Sequence, residues 1–125
     1  MLANSKAFSG FSVSDTDEAH TFYAETLGLE VTEANGILAL HLAGGGKVIA
    51  YPKGPAHEPA SFTVLNFPVT DIEAAVDQLA RDGVEFEHYA GTGMETDSKG
   101  IFRRGGPLIA WFKDPSGNLF SVIQE

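Results

Sequence analysis

Four histidines, two adjacent arginines and one tryptophan carry most of the chemistry open to this sequence. His41 interrupts the apolar run Ile37-Leu38-Ala39-Leu40-His41-Leu42. An imidazole in such a run can act as acid, base or hydrogen-bond anchor, or it can be a partly exposed side chain on an edge strand. His20 falls among charged residues and His57 lies in Pro55-Ala56-His57-Glu58-Pro59, so both read as surface. His88 follows Glu87 near the end of an expected strand, where pairing with His41 is left open. The four have no metal-ligand spacing. Arg103 and Arg104 sit in a Gly-rich stretch with Glu95, Asp97 and Lys99. Either arginine can clamp a carboxylate or phosphate, the alternative being a solvated loop. Trp111, the only tryptophan, offers an indole that can stack on a planar ligand or simply pack. There is no cysteine, which removes thiolate nucleophiles, disulfides, iron–sulfur clusters and cysteine-ligated zinc. No nucleophile elbow or Ser-His-Asp ordering stands out, and Gly44-Gly45-Gly46 opens no helix that would cradle phosphate.

The elements that position these residues must fit in 125 residues, the length of one domain. Apolar residues at 43% and charged residues at 20% are ordinary for a globular chain. Fourteen Gly and six Pro interrupt any long helix and argue against a coiled coil. A net charge of −9, from 17 acids and 8 bases, repels a phosphate backbone, so nucleic acid is not an expected partner. No apolar run reaches the roughly 18–20 residues needed to span a bilayer. The first ten residues lack a basic and apolar leader, and the expectation is a cytoplasmic protein without a membrane partner.

A repeat organises the chain. Phe11-Ser12-Val13-Ser14-Asp15 reads like Phe67-Pro68-Val69-Thr70-Asp71, and Leu27-Gly28-Leu29 reads like Asp82-Gly83-Val84, about 55 residues later each time. Asp15 with Glu18 gives an N-terminal helix signal, and Thr70 with Glu73 repeats it. Ala19, Phe22, Tyr23 and Leu27 form one apolar stripe, Ile72, Ala75, Val76 and Leu79 the other, and Gly28 and Gly83 stop the helices. Strands are predicted over 8–13, 29–32, 37–42 and 47–51, then 62–69, 84–89, 108–113 and 118–124. Residues 91–107 form a long Gly-rich loop. This is an α+β chain: one domain over 1–125, with two βαβββ modules at about 6–54 and 60–125 joined by a linker at 55–59. The expected architecture is a cupped eight-stranded mixed sheet with helices on its outer face.

With Val13-Ser14-Asp15, Phe22-Tyr23, Leu27-Gly28-Leu29 and the ending Trp111-Phe112-Lys113-Asp114-Pro115-Ser116-Gly117-Asn118, the chain resembles the vicinal oxygen chelate superfamily. That group includes glyoxalase I, extradiol dioxygenases and bleomycin-resistance proteins. The resemblance implies that metal-dependent members hold a divalent ion through His and Glu on the inner side of the sheet. The corresponding positions are Phe8, Ala50, Val64 and Ser121. Three offer no donor and the fourth only a hydroxyl, a poor set for a divalent ion. No metal and no other cofactor are therefore expected. The bleomycin-resistance type likewise lacks the metal set and holds its ligand by shape.

Side chains alternate across a strand. If Phe8 faces the cavity, so do Gly10 and Ser12; Phe62, Val64, Asn66 and Pro68; Ile37, Ala39 and His41; and Ile109, Trp111, Leu119, Ser121 and Ile123. These residues line a small-molecule pocket, or else fill a closed core or a dimer interface. The expected ligand-binding residues are Phe8, His41, Val64, Asn66, Trp111 and Ser121, with Arg103 from the loop. The expected function is metal-free sequestration of an apolar or aromatic small molecule. The alternative is a lyase, isomerase or dioxygenase-like enzyme. The resemblance also implies a homodimer.

Overall fold

A computed structural model describes residues 1–89, 91, 93 and 95–125; Thr92 and Met94, within the expected loop 91–107, lie outside the described residues. The chain divides into two compact units, Met1–Glu58 and Pro59–Glu125. The division falls between Glu58 and Pro59. The eight strands form two four-stranded mixed sheets, one in each unit.

The first unit runs β1 (Ser9–Val13), α1 (Thr16–Thr21), β2 (Glu30–Ala34), β3 (Ile37–His41) and β4 (Lys47–Pro52), in the sheet order β1-β4-β3-β2. β1 and β4 are parallel and the other pairs antiparallel. Asp15 caps α1, accepting from the Asp17 and Glu18 N–H groups at 2.9 and 3.2 Å. The helix then widens into a π turn over Phe22–Thr26, where the Leu27 N–H reaches the Phe22 carbonyl at 2.9 Å. Periodicity of 3.6 residues does not encode such a turn. Asn35 and Gly36, with φ of 54° and 78°, make the two-residue turn between β2 and β3. Phe11, Val13, Leu38, Leu40, Val48 and Ala50 are buried together with Ala19 and Tyr23, and α1 packs on β3 and β4. Alternation thus holds across this sheet, with one correction in detail. Ala50 is fully buried on the helix side, so the open-face residues of β4 are Ile49 and Tyr51.

The second unit runs β5 (Thr63–Val69), α2 (Ile72–Arg81), β6 (Ile101–Phe102), β7 (Ile109–Lys113) and β8 (Leu119–Gln124), ordered β5-β8-β7-β6. Asp71, not Thr70, caps α2 by accepting from the Ala74 N–H at 3.2 Å. The Gln124 side chain takes the Ile72 N–H at 3.0 Å. Ile72 and Val76 are buried along with Ala110, Phe112, Phe120 and Val122, and α2 packs on β7 and β8.

The strand expected over 84–89 is only a bridge from Phe86 to Phe112, supported by a 2.8 Å bond from the Glu87 N–H to the Trp111 carbonyl. β6 lies instead inside the expected loop. Its Ile101 and Phe102 cover the first half of the β7 edge, while Phe86 and Glu87 cover the second. Gly100 lets the two segments meet: it has φ +90°, and a Cβ there would stand 2.9 Å from the Phe86 Cβ.

Two polar clusters fix the connections of this unit. Asp114 accepts from the N–H groups of Ser116 and Asn118 at 3.0 and 2.8 Å and from the Asn118 amide at 3.1 Å. The Asn118 side chain in turn accepts from the Ala60 N–H at 3.0 Å. The second cluster ties the loop before β6 to α2. Asp97 accepts from the N–H groups of Lys99 and Ile101 and from the Arg103 guanidinium at 2.8 Å. Lys99 stands 3.0 Å from Asp77, and Arg103 stands 3.6 Å from Glu73.

Asp114→Ala leaves buried donors without their acceptor and is expected to cost about 1–3 kcal/mol. The check is a lower urea midpoint at unchanged slope; a parental midpoint means the turn stands without the carboxylate. Burial pushes the Asp97 carboxyl up, but the Arg103 guanidinium and the Ile101 and Lys99 N–H groups outweigh it and hold the group below its ordinary 3.8. Its contribution is therefore present above that value and lost as pH falls through the lower folded value. Asp97→Asn should lower stability slightly at neutral pH and in low salt, with the difference closing below about pH 3.8. Paired thermal melts across that range test it.

Candidate functional site

The sheet face opposite α1 is built in rows set by register. Phe8 continues β1 beside Lys47, whose ammonium lies 4.9 Å from the centre of its ring, and Lys47 pairs with His41. The next row holds Gly10, Ile49, Ala39 and Thr32. The absence of a side chain at Gly10 gives Ile49 its place, because a Cβ there would stand 2.9 Å from the Ile49 Cγ1. The third row begins with Ser12 paired to Tyr51. His41 is half-buried and its Nε2 stands 2.8 Å from the Thr32 hydroxyl. Phe8 is exposed.

His57, read from the sequence as surface, is half-buried over this face. Its Nδ1 stands 2.7 Å from the Ser12 hydroxyl. Sequence reasoning missed the contact because the partners are 45 residues apart and neither belongs to a recognised motif.

On the sheet face opposite α2, Asn66, Ser121 and Trp111 form one row. The Ser121 hydroxyl donates to the Asn66 side-chain oxygen at 2.5 Å. Trp111 is only 8% exposed, so the indole is more enclosed than a freely stacking surface ring. Tyr89 meets it edge-on at 5.7 Å and Phe102 lies tilted at 6.2 Å. Neither ring was among the expected site residues, since both lie in segments whose pairing with β7 the sequence does not reveal. Burial, reinforced by Glu87 and partly offset by Lys113, raises the Tyr89 phenol above its ordinary 10.0, so it remains a hydrogen-bond donor at neutral pH.

Phe8 and His41 thus share one face in the first unit, and Asn66, Ser121 and Trp111 share one in the second. Val64 departs from strict alternation. The register shifts between Thr63 and Leu65, placing Val64 in a β-bulge opposite the Leu119–Phe120 step. Arg103 is engaged with Asp97 and Glu73 on the α2 side of its loop.

The positions corresponding to the family's metal ligands do not fit a metal. Phe8 and Ala50 in the first unit and Val64 in the second carry no donor, and the Ser121 hydroxyl is engaged with Asn66. Among the described residues, no group of three or more His, Cys, Asp or Glu is placed to hold a metal ion. Also among the described residues, no helix is long and apolar enough to cross a membrane.

The family model described as Glyoxalase/Bleomycin resistance protein/Dioxygenase superfamily matches residues 8–122. Comparison with curated proteins gives no match. Among solved structures, the chain is similar to TnmS3, an antibiotic binding protein from Streptomyces sp. CB03234, at 23% identity and a TM-score of 0.67, covering 94% of this chain and 92% of that one. It is similar to UcmS2 at 22% identity and a TM-score of 0.69, over 93% and 94%. A superfamily member from Sphaerobacter thermophilus DSM 20745 is 24% identical with a TM-score of 0.67, over 94% of both chains. At these identities the likeness to the solved structures speaks for the fold, and the family match over nearly the whole length carries the assignment: the chain belongs to the glyoxalase/bleomycin resistance protein/dioxygenase superfamily.

Proposed function

We propose that the protein binds an apolar or aromatic small molecule without a metal, in the manner of the bleomycin-resistance branch, and does so in the cytoplasm as a homodimer. The observation that carries this reading is the chemistry of the sheet face opposite the helix in each unit. In the first unit Phe8 and Ile49 share that face with His41; in the second the Trp111 ring, nearly enclosed and flanked by Tyr89 and Phe102, lies in a row with the buried Ser121 and with Asn66. That make-up suits a small-molecule site. The donor-poor positions at Phe8, Ala50, Val64 and Ser121 argue against the metal-dependent reactions of the superfamily. The shared fold of TnmS3, described as antibiotic binding, supports the same direction.

Apolar burial supplies roughly 25 cal/mol per Å² and the polar points set orientation. Titration with bleomycin and a set of neutral polycyclic aromatic compounds, followed through Trp111 fluorescence, should give saturable quenching by at least one of them. Chelator should leave the titration unchanged. Calorimetry on the same compound should show Trp111→Phe weakening binding by more than about 1 kcal/mol if the indole is a central contact. His41→Ala should alter selectivity among the compounds more than affinity. Parental binding by both variants would move the site elsewhere.

Homodimerisation is tested separately by light scattering at micromolar concentration. The expected mass is twice the 13.3 kDa of one chain, and a monomeric mass refutes the dimer.

A further inference from the structure

Ser12 and His57 form a hydroxyl–imidazole pair held in place by backbone on both sides. Ser12 lies within β1, opposite Tyr51 of β4. Beyond β4 the chain stays beside β1, because the Lys53 N–H donates to the Val13 carbonyl at 2.9 Å. One short 3-10 turn follows over Gly54–Ala56, with Pro55 inside it. The turn closes on His57, whose N–H donates to the Gly54 carbonyl at 3.1 Å. The imidazole is thereby carried back over Ser12, and Nδ1 meets Oγ at 2.7 Å. Both residues are half-buried.

A serine hydroxyl in hydrogen-bond contact with a neutral imidazole has the elementary geometry of an activated nucleophile and its base. Asp, Glu and Lys side chains lack this matching of proton affinity near neutral pH, which is what makes imidazole the usual partner. Ser12 pairs with Tyr51 across β1 and β4, and Ile49 lies in the neighbouring row of the same face, apolar neighbours that suit the acyl or alkyl portion of an ester.

We infer that Ser12 is a nucleophile, with His57 as its general base, toward activated carboxylic and phosphonic esters. Oγ forms a bond to the electrophilic carbon or phosphorus while its proton passes to Nδ1. The bond to the leaving group breaks, and an alkoxide or phenolate leaves with that proton. The products are an acylated or phosphonylated Ser12, a neutral His57 and the free alcohol. For a carboxylic ester, water then repeats the step, donating its proton to Nδ1 and releasing the acid and Ser12. This capacity goes beyond ligand sequestration and stands independently of it.

An alkyl fluorophosphonate probes the pair directly, with fluoride as leaving group. Intact-mass spectrometry should show one phosphonyl adduct per chain, and peptide mapping should put it on Ser12. Ser12→Ala should remove the adduct. His57→Gln should slow labelling by at least about a hundredfold, the low end of what a positioned general base contributes, with a circular dichroism spectrum like the parent's. Absence of an adduct on the parent, an adduct on another residue, or parental labelling of His57→Gln overturns the inference. The mapping on the parent protein decides even if a variant fails to fold.

Discussion

Burial of one face of each sheet under one helix governs everything else in this molecule. Leu38, Leu40 and Ala50 in the first unit, and Ala110, Phe112 and Phe120 in the second, are fully buried, and each stands on the helix side of its strand. Side chains alternate with a period of two, so fixing those residues inward fixes their neighbours outward. Ile49, His41 and Ser12, or Trp111, Ser121 and Ile123, have no choice of side once the core has chosen. A one-residue slip in any strand would exchange the core for the site. The N-terminal caps at Asp15 and Asp71 therefore matter beyond their own hydrogen bonds. They set where each helix begins, and so which residues of the following strands lie beneath it.

Much of this was legible from residues alone because it rests on short-range rules. Asp15 and Gly28 bracket the first helix, and the Asp114-Pro115-Ser116-Gly117 turn forces the last hairpin. Alternation along β3, β7 and β8 puts Leu38, Leu40, Ala110, Phe112, Phe120 and Val122 inward, and all are buried, whereas Leu42, on the same alternation, lies beyond β3 and is half-buried. What escaped the reading depends on contacts between distant segments. The bulge at Val64 is a property of the β5–β8 register. Ala50 corresponds to a site position by resemblance, but its own alternation with Val48 puts it in the core. The π turn after Thr21 is a local change of period that an apolar stripe cannot distinguish from a helix. His57 looked like linker surface because only the folded path of residues 53–57 carries it back to Ser12.

The superfamily's chemistry is written in side chains on a backbone that tolerates their loss. Of the positions that correspond to the family's metal ligands, Ala50, Val64 and Ser121 lie on strands held by core residues and main-chain bonds, and Phe8 immediately precedes β1. Replacing imidazole and carboxylate with Phe8, Val64 and Ser121 leaves that framework intact. Metal binding in such a fold is therefore separable from folding, unlike small zinc domains whose stability is the metal's. The polar features that remain have structural partners within the chain: Thr32 for His41, Asn66 for Ser121, and Asp97 with Glu73 of α2 for Arg103. A small molecule of the kind proposed would compete with or extend those contacts.

The divided cover on β7 has a consequence for how copies of the chain behave in a crowded solution. A continuous strand over residues 84–89 would have ended the sheet in a long row of unpaired amides and carbonyls, open to another chain's strand. Here the edge is closed by two short pieces, Ile101–Phe102 and the Phe86 bridge, meeting at Gly100. Neither is long enough to template an added strand, and Glu85 and Glu87 put charge beside the second. The irregularity that made this segment hard to read is a form of protection against edge-to-edge aggregation.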